Sequence, residues 1–356
     1  IDSIDIYPFR KAISAGVGGI MVAHLFIPAL DKRENMATSL SEKSVDSLLK
    51  GELDFEGLSI TDALDMNGVT NYHKPGDIEL LAFLAGNDIL LLPLDIPGAI
   101  GKIKKAIEDG IVSMEELDNR CRKILSYKKL VGLDKRNPVD EGGIVEEINA
   151  PVNELLNRKI FEEAITLVKN VKDIVPLKNL DTLRIASLVI GNKNTGTFQQ
   201  TLELYAPVEH FNVTSKPTPA QIETIKKNLA DFNVVIAGIE STSNSSAKNF
   251  GISQEAMQLI GEIKKQHSIF ILDIFGNPYA LINFNDHQDL DALIVSYEDS
   301  ETAKDISAQV IFGAIGASGR LPVSASAEFN YGMGISTKPV GRLKYSIPEE
   351  VGIPRE

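Results

Sequence analysis

Gly57-Leu58-Ser59-Ile60-Thr61-Asp62-Ala63-Leu64-Asp65-Met66 is the stretch whose reading decides the fold. Leu58, Ser59 and Ile60 read as a short buried strand, and Thr61-Asp62 falls where that strand gives way to a turn. A carboxylate at the carboxyl end of a parallel strand is where barrel enzymes hold catalytic groups. An Asp in that place is also a common helix N-cap, because its oxygen accepts from the free N–H groups of the next turn. On these ten residues alone the cap is the commoner case. The segments on either side decide between the two.

Working outward, Gly19-Ile20-Met21-Val22-Ala23-His24 is a continuous apolar strand, the pattern expected when both faces are covered. Asp88-Ile89-Leu90-Leu91-Leu92 is a third. Helices are expected over 6–13, with Pro8 tolerated in the first turn, through Leu48-Leu49, and over 78–85. These are three strand-and-helix units with right-handed crossovers. They suit strands six to eight of a (β/α)8 TIM barrel. A helix follows at 100–107. Ser113-Met114-Glu115-Glu116 is then a capping box, opening a helix to about Leu130 with Leu117, Cys121, Ile124 and Leu125 on one face, which makes Cys121 a buried thiol.

Residues 1–131 are therefore expected to form the C-terminal portion of a barrel, and 132–152 a linker rich in Gly, Pro and charge. A helix over 152–169 presents Leu155, Leu156, Ile160, Ala164, Leu167 and Val168. Strands are expected at 185–190, 209–214, 234–239, 269–274 and 292–295, with helices near 197–205, 218–230, 253–266 and 301–312. That alternation predicts an open, mostly parallel α/β sandwich domain over 153–330. From Gly313 the chain is expected to be irregular and to wrap over a neighbour, with 331–356 as a tail.

Composition sets outer bounds. At 356 residues two domains are the natural expectation. A net charge of −13 argues against a nucleic-acid surface, which needs clustered Lys and Arg. One cysteine excludes an internal disulfide framework. Five scattered His offer no metal constellation, so no metal or other cofactor is expected. No apolar run is long enough to span a membrane. Gly191-Asn192-Lys193-Asn194-Thr195-Gly196 sits between a strand and a helix but fits neither dinucleotide nor P-loop spacing, so a tight turn is expected there.

The order of segments resembles one family closely. Tyr7-Pro8-Phe9-Arg10, Val22-Ala23-His24, Pro28-Ala29-Leu30-Asp31, Gly57 to Met66 and Ala85 to Leu91 resemble the second half of a glycoside hydrolase family 3 barrel, in its β-N-acetylhexosaminidase branch. Asn170 with Val175-Pro176-Leu177, Gly276-Asn277-Pro278-Tyr279 and Gly319-Arg320-Leu321-Pro322-Val323-Ser324 resemble signatures of its second domain. The resemblance implies a retaining glycosidase acting on terminal β-linked N-acetylglucosamine of peptidoglycan- or chitin-derived saccharides. It implies that Asp62 is the nucleophile. The branch's Lys-His-Phe-Pro-Gly-His-Gly-type segment, which carries its acid/base His, is not among these residues, and its place would precede Ile1. The first barrel strands are expected to be absent with it, and residues 1–356 alone to be inactive on unactivated N-acetylglucosaminides. Leu343 to Gly352 resembles a connector to a serine β-lactamase-like domain, and the family implies a periplasmic or envelope location.

Retaining glycosidases use two groups about 5 Å apart, one attacking the anomeric carbon and one protonating the leaving oxygen. A nucleophile must stay ionised, so polar neighbours such as Thr61 suit Asp62. His24 ends the preceding strand and is a candidate sugar contact or a satisfied scaffold residue. Asp65 and Met66, just beyond Asp62, are weaker substrate-binding candidates. Asp65 could equally cap, and Met66 could pack. His73 reads as a loop residue and Arg10 as structural. Glu240, directly after a strand, is a substitute proton donor. The rivals are a carbohydrate-binding scaffold that has lost the reaction, and a β-glucosidase-type member of the same family.

Overall fold

Strands β1 (Gly19–Val22) and β2 (Leu58–Thr61) run parallel, with Gly19 opposite Leu58 and Val22 opposite Thr61. Parallel neighbours need a crossover. It contains Lys43–Glu52, a helix wound in the wider π form, in which the Leu53 N–H reaches back to the Leu48 carbonyl. The computed structural model describes residues 2–135, 138, 140–285 and 290–354, and the chain divides into two compact units, Ile1–Asp140 and Glu141–Glu356.

The strand expected at 88–92 is reduced. Ile89 makes a single parallel bridge to Ile60, and Leu92 already has φ 47°, a left-handed conformation that ends extension. The backbone still follows β2 closely: the Thr61 N–H donates to the Ile89 carbonyl and the Leu64 N–H to the Leu91 carbonyl. Ala37, Leu40, Leu64, Val69, Ile78 and Ala82 form one core cluster behind these segments. Leu64 is fully buried, so the turn after Asp62 is anchored two residues on.

Cys121 is exposed, against expectation. The helix Met114–Leu130 instead turns Arg120 inward. Arg120 donates to the Phe83 and Asn87 carbonyls at 2.7 and 3.0 Å, pairs with Glu116 and lies 4.2 Å over the Phe83 ring. A guanidinium supplied with that many acceptors can be buried without penalty, and the next residue then points outward. Ser113 caps this helix through the Glu116 N–H, which is half of the expected capping box; the Glu116 carboxylate pairs with Arg120.

The second unit is a six-stranded sheet. Its strands are β3 (Thr166–Asn170), β4 (Ile185–Ile190), β5 (Val208–Val213), β6 (Val234–Ile239), β7 (Ile269–Ile274) and β8 (Ala292–Val295). Their spatial order is β3-β8-β7-β6-β4-β5, with every pair parallel except β3 against β8. Residues alternate between its faces. Ala186, Leu188 and Ile190 pack with the helices Pro219–Leu229 and Gln254–Gln266, while Ile185 and Val189 pack with Phe198, Leu202 and the helix Glu301–Phe312. β3 is a correction to the expected helix over 152–169. The helix spans Pro151–Ala164 and stops where Ile165 turns extended, and Thr166, Leu167, Lys169 and Asn170 pair with β8 as an edge strand, with a register shift at Val168. A short helix, Ile144–Ile148, occupies part of the expected linker. Beyond Phe312 the chain is largely irregular and packs on its own unit: Ile335 donates to the Leu167 carbonyl, and Tyr345 donates its N–H to Gln309. No helix among the described residues is long and apolar enough to cross a membrane.

Candidate active site

Asp62 is the first residue past β2 and is half-buried. Its N–H donates to the Val22 carbonyl of β1 at 2.9 Å, extending the parallel ladder by one bond. Its Oδ1 accepts from the Ala63 N–H at 2.8 Å. Among the described residues no hydrogen bond reaches Oδ2. Thr61 is buried, and its hydroxyl accepts from the Leu91 N–H at 2.9 Å, so it ties β2 to the next segment. The chain does not cap a helix at Asp62. The next helix is Asn67–Thr70, with Met66 in the N-cap position.

His24 lies two residues past the end of β1, with both ring nitrogens engaged. Nδ1 is 2.6 Å from the Ser39 hydroxyl and Nε2 is 2.9 Å from the Ala63 carbonyl. Thr38 straddles the same spot, donating its hydroxyl to the Ala23 carbonyl and accepting from the Leu25 N–H. Ser39 is in turn held by Asn87, whose amide donates to the Ser39 carbonyl at 2.8 Å. Asp65 and Met66 are exposed, Met66 at 46%, so neither belongs to the core. His73 is half-buried, 3.4 Å from the Asn35 carbonyl. Arg10 pairs with Asp2 on the surface.

Two buried carboxylates support the loops around these residues. Glu79 accepts from the Gly76, Leu94 and Asp95 N–H groups, fastening the loop that follows Leu91. Asp88 lies at the opposite, amino end of its segment, bonded to the Ser59 N–H and hydroxyl and paired with Lys123 at 2.9 Å and Lys50 at 3.6 Å. Burial pushes its carboxyl up, but the Ser59 amide and the two ammonium groups outweigh that and hold it below the usual range. Sequence reading missed Thr38, Ser39, Asn87 and Glu79. The contacts of Thr38, Ser39 and Asn87 around His24 join residues 13 to 48 positions apart, which no local spacing marks, whereas Glu79 does carry a local signal, three residues after the Gly76 N-cap whose N–H it accepts.

In the second unit Glu240 follows β6 and is buried. One oxygen takes the Lys304 ammonium at 3.1 Å and the Asn192 amide at 3.2 Å, while Oε1 has no hydrogen bond. Lys304 also pairs with Asp299, which accepts from the Ser241 N–H at 2.6 Å. Gly191 has φ 113°, and a Cβ there would lie 2.1 Å from the Glu240 carbonyl oxygen, so the 191–196 segment is a close-packed turn. No group of His, Cys, Asp and Glu among the described residues could hold a metal ion.

Comparison with known proteins adds the following. Residues 1–127 match the glycosyl hydrolase family 3 N terminal domain, and residues 165–353 match the glycosyl hydrolase family 3 C-terminal domain. A β-N-acetylglucosaminidase/β-glucosidase of Cellulomonas fimi is 27% identical over 177 residues, covering 48% of this chain and 31% of its own. A lysosomal β-glucosidase of Dictyostelium discoideum is 27% identical over 362 residues, covering 89% of this chain and 43% of its own. The chain thus spans less than half the length of these curated relatives. A family 3 β-N-acetylglucosaminidase structure from Paenibacillus sp. str. FPU-7 aligns with TM-score 0.68 at 22% identity, over 90% of this chain and 61% of that one. At that identity the likeness speaks for the fold.

Proposed function

The chain belongs to glycosyl hydrolase family 3, and on that premise we propose that it supplies the nucleophile of a retaining glycosidase for terminal β-N-acetylglucosaminides. The observation that carries the reading is Asp62: a carboxylate at the carboxyl end of a parallel strand, with Oδ1 bonded and Oδ2 open. β1, β2 and the 88–91 segment are read as consecutive strands of a (β/α)8 barrel, whose catalytic groups gather at that end.

Oδ2 attacks the anomeric carbon as the bond to the leaving oxygen breaks, giving a glycosyl ester on Asp62. Water then cleaves the ester and returns the carboxylate. The leaving oxygen needs a proton when it departs as an alkoxide, and no residue of this chain is assigned as that donor. Glu240 is assigned to the scaffold, because it is buried and an ammonium and an amide hold its Oε2. Terminal N-acetylglucosamine is supported by the resemblance of Gly57 to Met66 to the β-N-acetylhexosaminidase branch and by the first of the two activities in the Cellulomonas fimi relative's name. The β-glucosidase names of relatives keep a second reading, a β-glucosidase of the same mechanism. Parallel assays on 2,4-dinitrophenyl β-glycosides of N-acetylglucosamine and glucose separate the two. That leaving group needs no proton, so the assay is independent of the donor. A preference for the acetamido sugar of at least about 10-fold is expected, equivalent to ~1.4 kcal/mol. The reverse preference would overturn the substrate assignment, and a product of inverted configuration would overturn the mechanism.

A further inference from the structure

His24 is built into the fold more firmly than a sugar contact needs to be. Thr38 bonds the backbone on both sides of it, to Ala23 and Leu25. Its ring is then fixed at both nitrogens, by Ser39 and by the Ala63 carbonyl. A carbonyl oxygen can only accept, so Nε2 carries a proton, while Nδ1 shares a hydrogen bond with the Ser39 hydroxyl. The same Ala63 carbonyl also accepts from the Met66 N–H at 3.1 Å, closing the turn. On its other side, Ala63 donates its N–H to Asp62 Oδ1. Asn87, Ser39, His24, Ala63 and Asp62 therefore form one continuous hydrogen-bonded line. Gly68 completes the packing: a Cβ there would come within 3.1 Å of the His24 Cβ.

We propose that His24 is a positioning residue: its imidazole, donating from Nε2, fixes the Ala63 turn so that Asp62 is presented with Oδ1 tied back and Oδ2 without a hydrogen bond among the described residues. This rests on the reading of Asp62 as nucleophile and deepens it. A substrate-binding His would need a ring nitrogen free for a sugar hydroxyl, and here neither is free. Holding the turn affects the rate at which Oδ2 attacks, because small misplacements of a reacting atom are costly, whereas the binding step is left unchanged.

The test is inactivation of the full chain by 5-fluoro-β-N-acetylglucosaminyl fluoride, with the inactivation rate constant and the binding constant measured separately. His24→Ala should lower the rate constant about 10- to 100-fold with the binding constant unchanged within about twofold, and His24→Asn should do the same. His24→Gln should recover much of the rate, because its amide nitrogen stands near the Nε2 position and can donate to Ala63, which Asn is too short to reach. Equal rates for Gln and Asn, or a loss confined to binding, would overturn the proposal. Nitrogen-15 spectra of the wild-type ring give a readout that needs no turnover. A proton on Nε2 is expected, and a ring protonated on Nδ1 alone would overturn the assignment. A wild-type chain that is never labelled, with an Nε2–H ring, would count against Asp62 as nucleophile while leaving the geometry around His24 standing.

Discussion

Oδ1 of Asp62 is committed to the Ala63 amide, whereas Oδ2 is committed to nothing among the described residues. Asp65, three residues on, is exposed and stands in the turn before the short helix. Asp62→Ala should therefore lower cleavage of a 2,4-dinitrophenyl β-N-acetylglucosaminide by on the order of 10⁴-fold, and Asp65→Ala by less than about 10-fold. Comparable losses in both would remove the distinction drawn between them. A different carboxyl controls stability. Asp273 is fully buried in β7, where burial pushes it up to about 7 against the pull of the Ser307 and Ser296 hydroxyls. Its native form holds a proton that the unfolded form gives up near the ordinary value of 3.8. The stability it contributes is present in full below that value and drains away as the pH rises to about 7. The melting temperature of Asp273→Asn relative to wild type should thus climb between pH 4 and 7 and level off above. A difference that stays flat over that range would contradict the placement of the proton. Of these groups only Asp62 was legible in the sequence, because its strand-turn spelling is local. Asp273 lies inside an apolar strand, and its hydroxyl partners stand 23 and 34 residues away.

At the scale of elements, the strands of the second sheet were legible wherever five or six apolar residues run together, as in Ile185–Ile190 and Val234–Ile239, since buried parallel strands leave no polar face. β3 was not. Thr166-Leu167-Val168 follows directly on a helix and continues its apolar spacing, and only the partner β8 selects the extended form. The segment 88–91 failed in the other direction: its apolar run is strand-like, but among the described residues its backbone bonds with β2 reach only Ser59 and Thr61 and close a single bridge, Ile89 to Ile60. What fastens its far end is Glu79. Removing that carboxylate leaves the Gly76, Leu94 and Asp95 amides without their acceptor. Glu79→Ala should destabilise the first unit by about 3 kcal/mol, since hydrogen bonds to a buried charged group contribute more than neutral ones. Urea denaturation, with hydrogen exchange at the Leu94 and Asp95 amides, checks this, and a loss below about 1 kcal/mol would show that water serves those amides equally well.

At the scale of the whole molecule, the family was legible because its short segments recur in order across both units, and the matches to its N- and C-terminal domains bear that out. The sugar was not legible, since relatives bear both N-acetylglucosaminidase and glucosidase names. The central claim is that the chain carries the covalent nucleophile of this chemistry and that the nucleophile is Asp62. The most direct measurement is peptide mass spectrometry of the protein after incubation with 5-fluoro-β-N-acetylglucosaminyl fluoride, whose departing fluoride needs no acid. The account predicts a single glycosyl adduct on the peptide containing Gly57 to Met66, fragmenting to Asp62 and absent from Asp62→Ala. An adduct on any other carboxylate, or none at all while the same preparation turns over the dinitrophenyl glycoside, would contradict it.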